Sequence, residues 1–119
     1  MQSYKNLIVW QKNFELVKSV YNLTKQFPRE ELYGLVSQMR RSAVSIPSNL
    51  AEGYSRKSRQ EYIQFVRIAF GSGAELETQL LLVIDLKLAN QNETEKVYNQ
   101  LVEVMKMLNK LISSLTPKP

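Results

Sequence analysis

Apolar residues along the chain recur at spacings of three and four, the period of an amphipathic helix, in long segments with few breaks. The first segment carries one row at Leu7, Trp10, Phe14, Val17 and Tyr21 and a second at Leu16, Val20, Leu23 and Phe27. At about 100° per residue the rows lie roughly 120° apart, an apolar arc wider than one intramolecular seam needs. Part of it is therefore expected to meet another subunit. After Phe27-Pro28-Arg29-Glu30-Glu31, whose proline and acidic residues suit a helix start, the next row is Leu32, Val36, Met39, Ala43, Ile46 and Leu50. Pro47 falls inside that row and removes a backbone donor. Because the row keeps phase across it, the prediction is a single helix kinked at Pro47.

Gly53 to Lys57 form the next turn, and Ser58-Arg59-Gln60-Glu61 has the spacing of a capping box. The third row follows at Tyr62, Phe65, Ala69, Leu76, Leu80 and Val83, with Gly71-Ser72-Gly73 in its middle. Two glycines inside a helix cost about 1 kcal/mol each relative to alanine, so a neighbour is expected to approach closely there. Asn92-Glu93-Thr94-Glu95 then opens a last helix with Val97, Leu101, Val104, Leu108, Leu111 and Leu115 on one row and Tyr98, Met105 and Ile112 beside it. Thr116-Pro117-Lys118-Pro119 reads as a frayed tail. Helices are thus predicted at about 7–27, 30–54, 59–90 and 93–115 in one domain spanning 1–119. Short links between long helices make neighbours antiparallel, so the predicted fold is all-α, an up-and-down four-helix bundle.

Composition narrows the chemistry. The 119 residues include 44% hydrophobic and 23% charged, an ordinary globular balance, and no His or Cys. Nucleophile pairs built on imidazole, thiolate or imidazole metal sites, and disulfides are excluded. Carboxylates such as Glu52 and Glu75 are present, but no Glu-x-x-His ligand pair is. A non-enzyme without cofactor or metal is expected. The opening Met1-Gln2-Ser3-Tyr4-Lys5 is not apolar, and the longest apolar run, Leu80 to Ile84, falls far short of the roughly 20 residues that span a bilayer. A cytoplasmic protein with no membrane partner is the expectation.

The net charge is +5, from 16 Lys and Arg against 11 Asp and Glu. Residues 40–67 hold Arg40, Arg41, Arg56, Lys57, Arg59 and Arg67 against Glu52 and Glu61, which is most of that excess. These six cations, with Tyr54 beside Arg56 and Lys57 as a base-stacking candidate, form the candidate nucleic-acid or anion site. Trp10, Tyr21 and Tyr62 fall on apolar rows and are assigned to the core. If contacting positions of the second and third helices sum to about 113, Arg41 lies level with Ser72, and Glu75 is within reach of Arg40 or Arg41. The structural expectation is an Arg–Glu pair wedged against Gly71 and Gly73. The functional alternative is that the two arginines meet a phosphate or a partner's carboxylate. Arg41 lies about 180° from the apolar row and Arg40 about 80°, so Arg41 is the one expected to face outward. Arg59, Arg67 and the level of Arg41 are then spaced by about 12 and 8 Å. An i,i+4 pair of Glu52 with Arg56 is the bland alternative for part of this charge. Ser45, Ser48 and Asn49 flank Pro47 and are expected to serve backbone groups freed by the kink.

Two stretches go beyond patterning: Gln38-Met39-Arg40-Arg41-Ser42-Ala43-Val44-Ser45-Ile46-Pro47-Ser48-Asn49-Leu50-Ala51-Glu52-Gly53, and Gly71-Ser72-Gly73-Ala74-Glu75-Leu76-Glu77-Thr78. With Leu7-Ile8-Val9-Trp10-Gln11-Lys12, Phe27-Pro28 and Gly34-Leu35, they resemble the four-helix-bundle proteins encoded by intervening sequences of bacterial 23S ribosomal RNA genes. Gly73 departs from that family's usual pattern. The resemblance implies a closed homo-oligomer, typically a ring of five, and a distant likeness to accessory proteins of diversity-generating retroelements, which work with a reverse transcriptase and RNA. Such a ring would repeat the basic patch in every subunit. The reading that follows is a homo-oligomer that binds RNA, or a nucleic-acid-handling protein, through its basic surface. The alternative is a scaffold or adaptor for an acidic or helical protein partner, with no nucleic-acid binding.

Overall fold

The computed structural model describes residues 3–118; Met1 and Gln2 of the opening segment and Pro119 of the tail lie outside the described residues. Among the described residues there are four α-helices and no strand: α1 (Ile8–Thr24), α2 (Ser37–Tyr54), α3 (Arg59–Leu86) and α4 (Gln91–Leu115). They pack consecutively, and α4 returns to α1 to close the bundle. Contacting pairs fix antiparallel neighbours, because their numbers run in opposite senses: Ser45 with Ser72 and Gly53 with Phe65, Glu77 with Tyr98 and Gly73 with Met105, Gln26 with Glu93 and Lys12 with Glu103. No helix of the described residues is long and apolar enough to cross a membrane.

The second row of α1 supplies the core: Leu16, Val20 and Leu23 are buried, as is Phe27 just beyond the helix. They meet Met39, Ala43, Ile46 and Leu50 of α2, Val66, Ala69, Leu76, Leu80 and Val83 of α3, and Val97, Leu101, Val104 and Leu108 of α4. The first row of α1 faces the edge of the bundle. Trp10 and Val17 are half-buried, and Phe14 is 49% and Tyr21 38% exposed. Trp10 packs between the rings of Tyr4 and Phe14, at 5.4 and 5.1 Å between centroids. The assignment of Tyr21 to the core is therefore corrected. Once the second row has filled the space against α2 and α4, the wide arc has no second intramolecular seam to enter.

Helix boundaries depart from the predicted ones where local hydrogen bonding competes. A short turn at Tyr4–Asn6 precedes α1, capped by Ser3, whose Oγ accepts from the Lys5 amide at 3.1 Å. α1 stops at Thr24, three residues early, because Pro28 pulls the residues before it out of helical geometry; Gln26 and Phe27 close tighter turns onto Leu23 and Thr24. Next come a 3-10 turn at Arg29–Glu31 and a wide π turn at Leu32–Val36, with Gly34 at φ −110° and ψ −106°. α2 then runs through the buried Pro47 as a single helix. The break in helical dihedrals lies ahead of it, at Gly34.

Ser58 caps α3 as its spacing predicts, its Oγ accepting from the Glu61 amide at 3.1 Å. α3 ends at Leu86 rather than near residue 90, because Lys87 takes a left-handed conformation (φ 55°, ψ 44°) and Leu88 donates its amide to the Val83 carbonyl. This is the Schellman arrangement, built without glycine at about 1–2 kcal/mol of strain. The cap of α4 lies two residues before the predicted Asn92: it is Asn90, accepting from the Glu93 amide at 3.0 Å. Gln26 ties that start to the end of α1, bonding both the Asn90 amide and the Glu93 carboxylate.

The glycines separate sharply. A β-carbon at Gly53 would sit 2.7 Å from Phe65 Cβ, so α2 and α3 meet nearly backbone to backbone there. At Gly73 it would strike the Met105 sulfur of α4. Gly71 is exposed, with nothing within 4 Å of the β-carbon position. Gly53→Ala is expected to lower stability by about 1–3 kcal/mol through overpacking. Gly71→Ala should raise the stability of a single bundle by about 1 kcal/mol through helix propensity. Urea unfolding of the two variants, run at a subunit concentration where the oligomeric mass is known, checks both.

Tyr98 of α4 donates its hydroxyl to Glu77 of α3 at 2.8 Å. That bond, partial burial and the carboxylate's charge hold the phenol proton on above the usual pKa near 10. Burial, with Tyr54 nearby, does the same for Tyr62. Unfolded tyrosine ionises first as pH rises, so the stabilisation is complete below pH about 10 and is lost as pH climbs through the folded-state values. Urea midpoints should fall on the alkaline side of about pH 10. In Tyr98→Phe the neutral-pH midpoint should be lower and the alkaline fall shallower.

Candidate nucleic-acid interface

Contacts between α2 and α3 join residues whose numbers sum to about 117, not 113, because α2 extends to Tyr54 and the close approach lies at Gly53. One helical turn of offset moves Arg41 from the level of Ser72 to that of Leu76. Glu75 stands next to that level, yet the expected Arg–Glu pair is not made. Arg40 turns to α1 instead: its Nε donates to Thr24 Oγ1 at 3.0 Å, its Nη2 reaches the Tyr21 carbonyl at 3.5 Å, and its guanidinium lies 4.5 Å from the centroid of the Tyr21 ring. Arg41 and Glu75 are both exposed and form no ion pair among the described residues. The β-carbon position at Gly71 has no neighbour within 4 Å, and that at Gly73 meets Met105.

At the other end of α2, Arg56 is committed. It pairs with Glu52 at 3.0 Å and Glu61 at 3.6 Å, and its guanidinium lies over the Phe65 ring at 4.9 Å. Lys57, Arg59 and Arg67 are exposed and make no ion pair among the described residues. Tyr54 is half-buried, set edge-on against Tyr62 at 5.9 Å. It is a wall of the α2–α3 turn more than an open stacking face. Arg59 and Arg67 lie about 12 Å apart along α3, and the level of Arg41 is about 13 Å further on. The six cations thus divide into two structural ones, Arg40 and Arg56, and four free ones spread along the long axis of a bundle measuring 46 × 27 × 21 Å.

The polar residues around Pro47 form a bridge between helices. Asn49 Nδ2 donates to the Ser45 carbonyl at 2.8 Å and to Ser45 Oγ at 3.0 Å, and Ser45 Oγ lies 2.8 Å from Ser72 Oγ on α3. Ser45, Asn49 and Ser72 are thereby brought together, whereas Ser48 is exposed. Pro47 leaves the Ala43 carbonyl without its usual helical donor. Asn49 serves the Ser45 carbonyl instead, so the trio joins α2 to α3 and does not mend the proline gap.

Sequence reasoning missed the ground in front of Arg41. A cleft of about 700 Å³ opens there between the end of α1, the π turn and the first turns of α2. Tyr33 is 93% exposed at its lip. The available signal was an aromatic residue lying off the apolar row beside a glycine, Tyr33-Gly34. A second, more apolar cleft of about 370 Å³ follows along the α1–α2 seam under Trp10, Phe14, Val17 and Pro47. On the far side, α3 exposes Ile68, Leu81, Leu82 and Leu86.

An antiparallel four-helix bundle with free cations along α2, α3 and the turn between them describes a class of small helical proteins. The family model of the 23S rRNA-intervening sequence protein matches residues 5–110, and the chain belongs to that family. A crystal structure of a protein of unknown function from the S23 ribosomal protein family of Bacteroides thetaiotaomicron VPI-5482 superposes with a TM-score of 0.82 at 28% identity, covering 89% of this chain and 96% of that one. No curated protein matches the chain.

Alanine at Arg41, Lys57, Arg59 or Arg67 should change stability by less than about 0.5 kcal/mol, as befits solvated charges. Arg40→Ala should cost about 1–2 kcal/mol, because it removes hydrogen bonds and the contact with the Tyr21 ring. Thermal and urea unfolding of the five single variants measures this difference.

Proposed function

We propose that the protein is a cytoplasmic, non-enzymatic homo-oligomer, a ring of five bundles, that binds RNA through its basic surface. The observation that carries the reading is the set of exposed cations, Arg41, Lys57, Arg59 and Arg67, that no carboxylate of the described residues neutralises. Free charges lose little on meeting phosphate, whereas paired ones must first give up a partner. Closure into a ring multiplies each free cation by the number of subunits, which raises the attraction for a polyanion far above that of one bundle. Self-association itself is supported by apolar surface on two sides of the bundle, the α1 row at Phe14 and the α3 face with Ile68, Leu81, Leu82 and Leu86. Gly71 sits on that α3 face without an intramolecular neighbour. The ring number rests on the family.

The second reading, an adaptor for a helical protein partner, is favoured by the apolar cleft between α1 and α2. Titration of the purified oligomer, at a mass fixed by sedimentation, with structured and single-stranded RNA at two salt concentrations separates the two. RNA binding that weakens steeply with salt, with a slope reduced in the Arg41→Ala/Lys57→Ala/Arg59→Ala/Arg67→Ala variant, is the expected result. A monomeric mass at micromolar concentration defeats the ring. Absence of RNA binding at low salt defeats the RNA reading and leaves the adaptor.

A further inference from the structure

We propose that the cleft in front of Arg40 and Arg41 holds an unpaired nucleotide of an RNA strand, its base stacked on Tyr33 and its phosphate held by Arg41 with Arg40 behind it. The inference rests on the RNA reading above and names the place and strand state that the basic surface alone does not specify. Three features converge there. Tyr33, 93% exposed, buries almost nothing in the fold. A wide π turn, of the kind that recurs at functional sites, presents it.

The cations beside it are also unusual. Arg40 is already fixed, by Thr24 Oγ1, the Tyr21 carbonyl and the Tyr21 ring, and two of its five N–H groups suffice for the two hydrogen bonds. The remainder are available without further loss of side-chain freedom, and no carboxylate pairs with it among the described residues. Arg41 adds a second uncompensated charge on the same cleft wall. Two adjacent arginines without counter-charge disfavour a purely apolar occupant, which would desolvate them for no return, and suit a phosphate. Leu32 and Val44 line the remaining wall, and about 700 Å³ is ample for one nucleotide. A base inside a duplex presents only its edges, so a ring at the lip of a cleft selects unstacked bases.

The test is fluorescence anisotropy with a labelled single-stranded RNA and a duplex of equal length, on the intact oligomer and on Tyr33→Ala, Tyr33→Phe and Arg41→Ala. Tyr33 is solvent-facing, so its variants should fold, and circular dichroism and sedimentation verify this. Tyr33→Ala should weaken single-strand binding by about tenfold with duplex binding and salt slope unchanged, while Tyr33→Phe retains affinity. Arg41→Ala should lower the salt slope by about one phosphate contact per occupied subunit. Wild-type RNA binding indifferent to Tyr33→Ala overturns the cleft and leaves the RNA reading standing. No wild-type binding overturns both. A change of oligomeric mass in Tyr33→Ala assigns the cleft to a subunit contact and overturns the nucleotide site.

Discussion

The approach of α2 and α3 at Gly53 is the constraint that fixes how the helices stand against one another. With Phe65 Cβ 2.7 Å from where a side chain would begin, the two helices slide to one register, and the Ser45–Ser72 contact two turns away locks it. That register carries Arg41 past the glycines of α3 to the level of Leu76, beside Glu75, yet both side chains are exposed and form no ion pair among the described residues. Arg40, one residue earlier and about 100° around the helix, falls on the α1 side and is absorbed by Tyr21 and Thr24. Which arginine is structural and which is free follows from the angle at which each leaves α2, toward α1 or toward solvent.

The same economy of space decides which apolar residues are surplus. A four-helix core with α1 contributing Leu16, Val20 and Leu23 has no room for a second row from the same helix. Trp10, Phe14, Val17 and Tyr21 therefore cover one another and the flank of α2. On α3 the outward Ile68, Leu81 and Leu82 share a helix with an open glycine that costs stability and packs against nothing in its own chain. An isolated bundle gains from neither feature. In a closed assembly both become contact surface, and the free cations are displayed together on one body, which is why oligomerisation and polyanion binding are coupled in the proposed function.

The sequence by itself determined the four helices, their order, the rows that fill the core and the Ser58 cap, because each depends on residues within one or two turns and on a period that solvent exclusion enforces. It also identified the basic segment, since charge needs no geometry to be counted. Boundaries were less legible where two local devices competed: Asn90 and Asn92 both offer a cap, and only the docking of Gln26 on the α4 start accompanies the choice of Asn90. The left-handed Lys87 carries no glycine to announce it.

Tertiary structure alone decided the interhelical register, the fates of the two glycines in α3, and the division of six cations into two committed and four free. It also decided the exposure of Tyr33, which a π turn lifts away from the apolar row. These are properties of where one helix stands against another, and a single-chain periodicity is unchanged when a neighbour slides by one turn. The core pattern survives such a slide of about 5 Å almost intact, whereas a polar contact between helices such as Ser45 with Ser72 does not. The fold was therefore legible in the chain, and the site was legible only as a list of charges that packing had still to sort.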